Sequence, residues 1–279
     1  MMGWFFLICT CLHADVSYWE GEMVRSYLHH SELQRRWAWS FLAPYLKELP
    51  ADAKILDIGC RDGKITADLS KFAPEGSVLG IDLSKSMVEW ARKQFHVFEY
   101  PNLNFQGGGF LEIGTSDPFD WIVSFCEFQH CSDQRSALQE VSKALKPGGK
   151  VLILVPAMNS FAWNRARSTI QASPKWAPYW EGFRPRQFHN TEHYRRLLEE
   201  AGFEVVKVEN VSTMDPFVDK EEILDWLKGT FAPVVPKDQA WEFYSEWIEE
   251  YLRLDPQSMD ANGTIYARLG FIGIEATLR

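Results

Sequence analysis

The stretch Lys54-Ile-Leu-Asp-Ile-Gly-Cys-Arg-Asp-Gly-Lys-Ile-Thr66, followed by Val78-Leu-Gly-Ile-Asp82, constrains this fold more than any other part of the chain. A short apolar run (Ile55, Leu56, Ile58) ends in glycines and leads into residues 64–72, which read as a helix. A second apolar run then ends in an acidic residue, Asp82, about 20 residues past the turn. Strand, tight turn and helix in this order form half of a doubly wound parallel sheet. In such a sheet the turn brings backbone N–H groups close to a ligand, and an acidic residue at the next strand tip can grip ribose hydroxyls. The expected ligand therefore carries a nucleoside.

The alternation continues down the chain. Strands are expected at 54–58, 78–82, around 103–106, at 121–125 and at 151–155, with helices at 63–73, 84–95 and 133–145 between them. Lys146-Pro-Gly-Gly149 reads as the stop and turn before the fifth strand. An amphipathic helix over 31–46, with Leu33, Trp37, Phe41 and Tyr45 at helical spacing, precedes the sheet. The rhythm breaks between Pro156 and Asn190, where Trp163, Trp176, Tyr179 and Trp180 gather in a segment too long for a plain loop. After a helix at 191–200 and a sixth strand at 203–208 come helices at 220–228 and 238–252, then a final strand at 265–277, expected to be antiparallel. The fold class is α/β, a Rossmann-like doubly wound, mostly parallel seven-stranded sheet with a terminal antiparallel strand and helical cap insertions. Residues 1–30 form an N-terminal extension; residues 31–279 form one domain with caps near 157–190 and 213–260.

Charge and cysteines narrow the function. A formal net charge of -9 argues against broad nucleic-acid binding, which needs a basic face. Arg165, Arg167, Lys175, Arg184 and Arg186 form a local basic cluster after the fifth strand, either as anion contacts or as a solvated face. Cys9, Cys11, Cys60, Cys126 and Cys131 show neither metal spacing nor a disulfide framework, so a reducing compartment and no metal are expected. Residues 4–12 are apolar and end near Ala14, like a signal-peptide core over 1–14. No Lys or Arg precedes them, however, and Leu12 suits the cleavage rule poorly. A cytoplasmic location without a membrane span is expected.

The turn discriminates between cofactors. Dinucleotide oxidoreductases want Gly-x-Gly-x-x-Gly there, because the backbone passes close to a pyrophosphate. Here Arg61 stands where the second glycine would be, and the carboxylate of Asp57 precedes the first. A carboxylate ahead of the turn suits a ligand bearing an ammonium group and no phosphate, as in S-adenosylmethionine.

At these residues the chain resembles the class I S-adenosylmethionine-dependent methyltransferases over roughly 30–210. Leu56-Asp-Ile-Gly59-Cys-x-Asp-Gly63 is similar to that family's first motif, Gly80-Ile-Asp82-Leu-Ser-x-x-Met87 to its second, and Leu145-Lys-Pro-Gly-Gly149 to the turn before its fifth strand. The resemblance implies that Asp57 orients the methionine amine, that Gly59 lets that moiety lie against the backbone with Gly63 also at the cofactor, and that Asp82 accepts from both ribose hydroxyls. Leu83 and Met87 would pack on the adenine, with Gly109, Phe110 and Glu127 completing the cofactor set. Two departures stand out: Arg61 replaces the middle glycine, and Gly107-Gly-Gly109 lacks the acidic residue that often binds the adenine amine. They leave a non-catalytic S-adenosylmethionine-binding or regulatory protein as the alternative.

The segment 119–149 looks most like the juvenile hormone acid and trans-aconitate methyltransferases, which act on carboxylates of small molecules. The Asn/Asp-Pro-Pro-aromatic segment of amino-methylating nucleic-acid enzymes is absent after the fourth strand. By this resemblance Gln34 and His130 line the reacting centre. In the cap, Arg165 or Arg167 is a candidate to hold the acid group of the acceptor, a small carboxylic acid or hydroxyl compound, and Trp163 either contacts it or, with Trp176 and Trp180, forms a core between cap and sheet. Were the acceptor an alcohol or phenol, His130 would have a pKa range suited to a general base.

Overall fold

A computed structural model describes residues 27–114, 117–158, 161–181, 188–230 and 234–279. Its centre is one seven-stranded sheet in the order β3-β2-β1-β4-β5-β7-β6. The strands are β1 (Lys54–Ile58), β2 (Ser77–Asp82), β3 (Leu103–Gly107), β4 (Phe119–Phe125), β5 (Leu145–Pro156), β6 (Phe203–Phe217) and β7 (Ile265–Leu278). The pairs among β1 to β5 are parallel, and β7 lies antiparallel between β5 and β6. The strand order reverses between β1 and β4. That is the switch point at which open α/β sheets leave a crevice beyond their carboxyl ends.

The helices are α1 (Glu32–Leu42), α2 (Lys64–Ser70), α3 (Lys85–Gln94), α4 (Gln134–Ala144), α5 (Ala162–Gln171), α6 (Ala177–Trp180), α7 (Thr191–Glu200), α8 (Lys220–Thr230) and α9 (Ala240–Leu254). Local chemistry fixes several starts. Ser84, Asp133 and Asn190 each accept a hydrogen bond from a first-turn N–H of α3, α4 and α7, the N-cap arrangement. Gly63 starts α2 at φ +80, and a Cβ there would lie 2.7 Å from the Phe105 ring. Only glycine meets both demands.

Three expectations need correction. The first helix ends at Leu42, not 46: Pro44 disrupts the helical bonding, and a short 3₁₀ turn, Leu46–Glu48, follows. The Lys146-Pro-Gly-Gly149 tract follows the end of α4 but lies after the first residue of β5, as an unpaired bulge between Leu145 and Lys150. Pro147 disfavours helix at the residue before it, so α4 stops at Ala144 and β5 begins at Leu145, with a register shift opposite Phe119 and Trp121. The sixth strand runs on to Phe217, because its pairing with β7 continues unbroken from Val208↔Ile274 to Phe217↔Ile265.

One apolar core lies between the sheet and α4 and α7, around Phe128, Tyr194 and Phe203. The other joins the opposite sheet face to the cap helices. Within the cap Trp163 sits 4.8 Å from Trp247, 5.3 Å from Tyr251 and 6.2 Å from Trp226, centroid to centroid. Trp176 is fully buried against Phe243, so it is a core residue of the cap. The Trp247 indole N–H donates to the Trp163 carbonyl at 3.1 Å. Trp247→Ala removes a buried ring and its hydrogen bond to the cap. We expect a loss of about 3–5 kcal/mol of stability, read as a lower urea midpoint at unchanged slope.

Candidate active site

The carboxyl ends of β1, β2 and β4 converge beside the first turn. Asp57, on β1, is buried, and one of its carboxylate oxygens accepts from the Thr66 hydroxyl of α2 at 2.7 Å. Burial pushes its pKa up to about 7; the Thr66 hydroxyl works against this and the nearby Asp82 adds to it. Asp82, at the tip of β2, is tied at both oxygens: Oδ2 accepts from the Arg61 backbone N–H at 2.9 Å and Oδ1 from the Ser84 N–H at 2.8 Å. The backbone thereby clamps the first turn to the second strand.

Two cavities meet at this edge. The first, about 520 Å³ including its mouth, is lined by residues from Ile58, Gly59, Leu83, the 108–112 segment, Glu127 and His130 to Ser132. Leu83 is 40% exposed there, an apolar side chain offered to a ligand face. Glu112 accepts from the Gly109 N–H at 2.9 Å and also lines the cavity. An acidic side chain thus stands at the crevice five residues beyond Gly107, although residues 107–109 carry none. Phe110 is buried 5.0 Å from Phe128 and forms the floor.

The second cavity, about 760 Å³ including its mouth, opens under the cap. Trp37, Trp163, Trp226, Leu269 and Phe271 supply apolar walls; Gln34, Arg61, Gln129, His130, Asn164 and Arg167 supply polar points. His130 lines both cavities. It reaches that position because the 3₁₀ turn Phe128–His130 follows β4 directly, and Gln129 pins this turn by donating to the Cys126 carbonyl at 2.7 Å. Gln34, on α1, is buried, and its amide oxygen has no hydrogen-bond partner among the described residues.

Other expected residues fall elsewhere. Met87 is buried in a small apolar cluster with Tyr27 rather than along the crevice lining. Gly63 serves helix packing, as above. Arg165 is exposed on α5 and absent from the cavity lining, whereas Arg167, two residues on, faces the cavity. Lys175 is paired with Glu242 and Glu246 and lies over the Trp176 ring. Arg184, Arg186, Cys9 and Cys11 lie outside the described residues. Sequence reasoning missed Cys126, whose φ of +54 marks a strained non-glycine position at the site. It also left open the direction of Arg61, which points inward.

Comparison with known proteins fits this geometry. A family model described as a methyltransferase domain matches residues 27–208, more than half of the chain. A trans-aconitate 2-methyltransferase of Deinococcus radiodurans is 30% identical over 187 residues, covering 64% of this chain and 69% of the relative. A juvenile hormone acid O-methyltransferase of Bombyx mori is 24% identical, covering 71% and 72%. The fold matches that of phosphoethanolamine N-methyltransferase 2 of Haemonchus contortus, with a TM-score of 0.63 at 18% identity, over 95% of this chain and 60% of that one. The chain belongs to the class I S-adenosylmethionine-dependent methyltransferases. It is an enzyme of that class, and S-adenosylmethionine is its cofactor.

The residues present fit that cofactor unequally. At the nucleoside end the exposed face of Leu83 and the carboxylates of Asp82 and Glu112 suit an adenine and a ribose. At the amino-acid end the acceptors for an ammonium are in place, but side chains of the protein occupy the room beside Gly59. No helix among the described residues is long and apolar enough to cross a membrane.

Proposed function

We propose that this enzyme transfers a methyl group to a carboxylate oxygen of a small, largely apolar acid held in the cavity beneath the cap. The observation that carries the reading is the position of His130, which borders both the nucleoside crevice and the apolar cavity. A donor in one and an acceptor in the other meet there. The similarity to methyltransferases named for trans-aconitate and juvenile hormone acid supports a carboxylate as the acceptor.

The cofactor supplies an electrophilic methyl group on a sulfonium. Asp82 is assigned to the ribose hydroxyls, Asp57 to the amine, and Leu83, Gly109 and Phe110 to the adenine. A carboxylate is already ionised near neutrality, so the reaction asks for no strong base. The protein's work is to orient and desolvate. Gln34 and His130 align the acceptor oxygen, Arg167 balances the charge of the acid, and the indoles of Trp37, Trp163 and Trp226 keep out bulk water. To test this, the enzyme is incubated with methyl-labelled cofactor and fatty, dicarboxylic, isoprenoid and aryl acids, each beside its primary alcohol and amine. Label in acids alone supports the assignment; label confined to alcohols, phenols or amines overturns it.

Asp57 gives a second prediction. Its carboxyl is held above the ordinary aspartate value, so below about pH 7 it carries a proton that an incoming ammonium must displace. With the room beside Gly59 opened by Arg61→Gly, calorimetry should show affinity for S-adenosylhomocysteine falling roughly 20-fold from pH 7.5 to 5.5, and adding Asp57→Asn should flatten the profile. The same shift acts on stability with the opposite sense. The native state binds a proton that the unfolded chain has released, so this residue's contribution is full below pH 3.8 and is lost as pH rises through about 7.

A further inference from the structure

Arg61 stands in the glycine turn at φ +50, a left-handed backbone that costs an arginine energy and costs glycine none. Its side chain, 13% exposed, turns into the site. One guanidinium nitrogen donates to the Cys126 carbonyl at 2.7 Å and lies 3.5 Å from a Glu127 carboxylate oxygen; the other donates to the Tyr27 hydroxyl at 3.2 Å. The guanidinium carbon sits 5.3 Å from the centre of the Tyr27 ring. Cys126 is itself left-handed at φ +54, so the two strained non-glycine residues are bonded to each other. Beside them, a Cβ built on Gly59 would lie 2.3 Å from Cγ of Glu127. The Glu127 side chain therefore lies flat on the glycine that would otherwise lie against a ligand.

Carbonyl and carboxylate acceptors at a strand tip are what an amino acid's ammonium requires. Here a permanent cation of the protein already holds them, and two cations cannot share so small a set. We propose that Arg61 and Glu127 determine selectivity at the amino-acid end of the cofactor: their side chains fill that end, so a ligand gains little from carrying an amino-acid tail. The nucleoside end is formed by Leu83, Asp82 and Glu112, whose carboxylates accept from the Arg61, Ser84 and Gly109 backbone N–H groups. A nucleoside without the tail thus binds nearly as well as one with it. The inference concerns the cofactor alone and stands whatever the acceptor proves to be.

The test is calorimetric titration of the full chain with S-adenosylhomocysteine and with 5′-methylthioadenosine, which shares the nucleoside and lacks the amino-acid group. The wild-type enzyme is expected to bind the two within about threefold of each other. Arg61→Gly, whose glycine suits the left-handed backbone, should tighten S-adenosylhomocysteine at least 10-fold and leave 5′-methylthioadenosine unchanged. Glu127→Ala should move the ratio the same way, and Arg61→Lys, which keeps a cation at the Cys126 carbonyl, should keep the wild-type ratio. Thermal melting of each variant checks the fold, and the wild-type ratio stands even if a variant fails to fold. A wild-type preference for S-adenosylhomocysteine of 100-fold or more, or a ratio unmoved in Arg61→Gly, overturns the inference. Equal weakening of both ligands in that variant also overturns it, because a merely structural arginine would behave so.

Discussion

Replacing Asp82 by alanine is expected to weaken binding of S-adenosylhomocysteine by about 100-fold, measured by calorimetry at pH 7.5. A carboxylate that accepts from two ribose hydroxyls makes charge-assisted bonds, each worth about 1.5–3 kcal/mol. The same side chain also holds the backbone N–H groups of Arg61 and Ser84, so alanine loosens the first turn as well. Asp82→Asn separates the two roles. It keeps a carbonyl oxygen for one of those N–H groups and loses the charge and one acceptor. Its affinity should fall roughly 10-fold or more, with less loss of melting temperature than alanine causes. Affinity unchanged in both variants would remove Asp82 from the ribose site.

Gln34→Leu carries the second large expected effect. Gln34 reaches the cavity from α1, and its buried amide has an oxygen with no partner among the described residues. Leucine keeps the approximate volume and removes both the donor and the acceptor. Turnover of the acid acceptor should fall about 100-fold in kcat/KM, while affinity for S-adenosylhomocysteine stays within threefold of wild type. A matched loss in both measurements would mean that α1 supports the crevice rather than the acceptor.

The parts of this molecule that could be read from the sequence are those in which a local pattern decides the outcome. β1 through β4 and their helices follow from apolar runs and helical periodicity, and the paired acids Asp57 and Asp82 stand at the tips of adjacent strands, as their spacing implied. Where tertiary pairing overrides local signals, the sequence misled. Lys146-Pro-Gly-Gly149 looks like the turn before a strand, yet Leu145 already pairs with Phe119, so the tract bulges out unpaired inside β5. β6 reaches Phe217 because β7 offers it a partner along its whole length. The site shows the same division. A glycine turn announces itself, whereas the inward path of Arg61 depends on the Cys126 carbonyl and on Tyr27, far away in sequence. Glu112 comes to the crevice through a loop conformation that no spacing rule describes. Arg165 and Arg167 are equivalent as charges in the sequence, and only the helical phase of α5 turns the second toward the cavity.

The most direct measurement is the chemical nature of the bond formed. Labelled product from the acid acceptor is treated with mild alkali, which hydrolyses methyl esters and leaves methyl ethers and N-methyl amines intact. Release of the label as methanol is predicted, and label that resists alkali contradicts methyl transfer to a carboxylate.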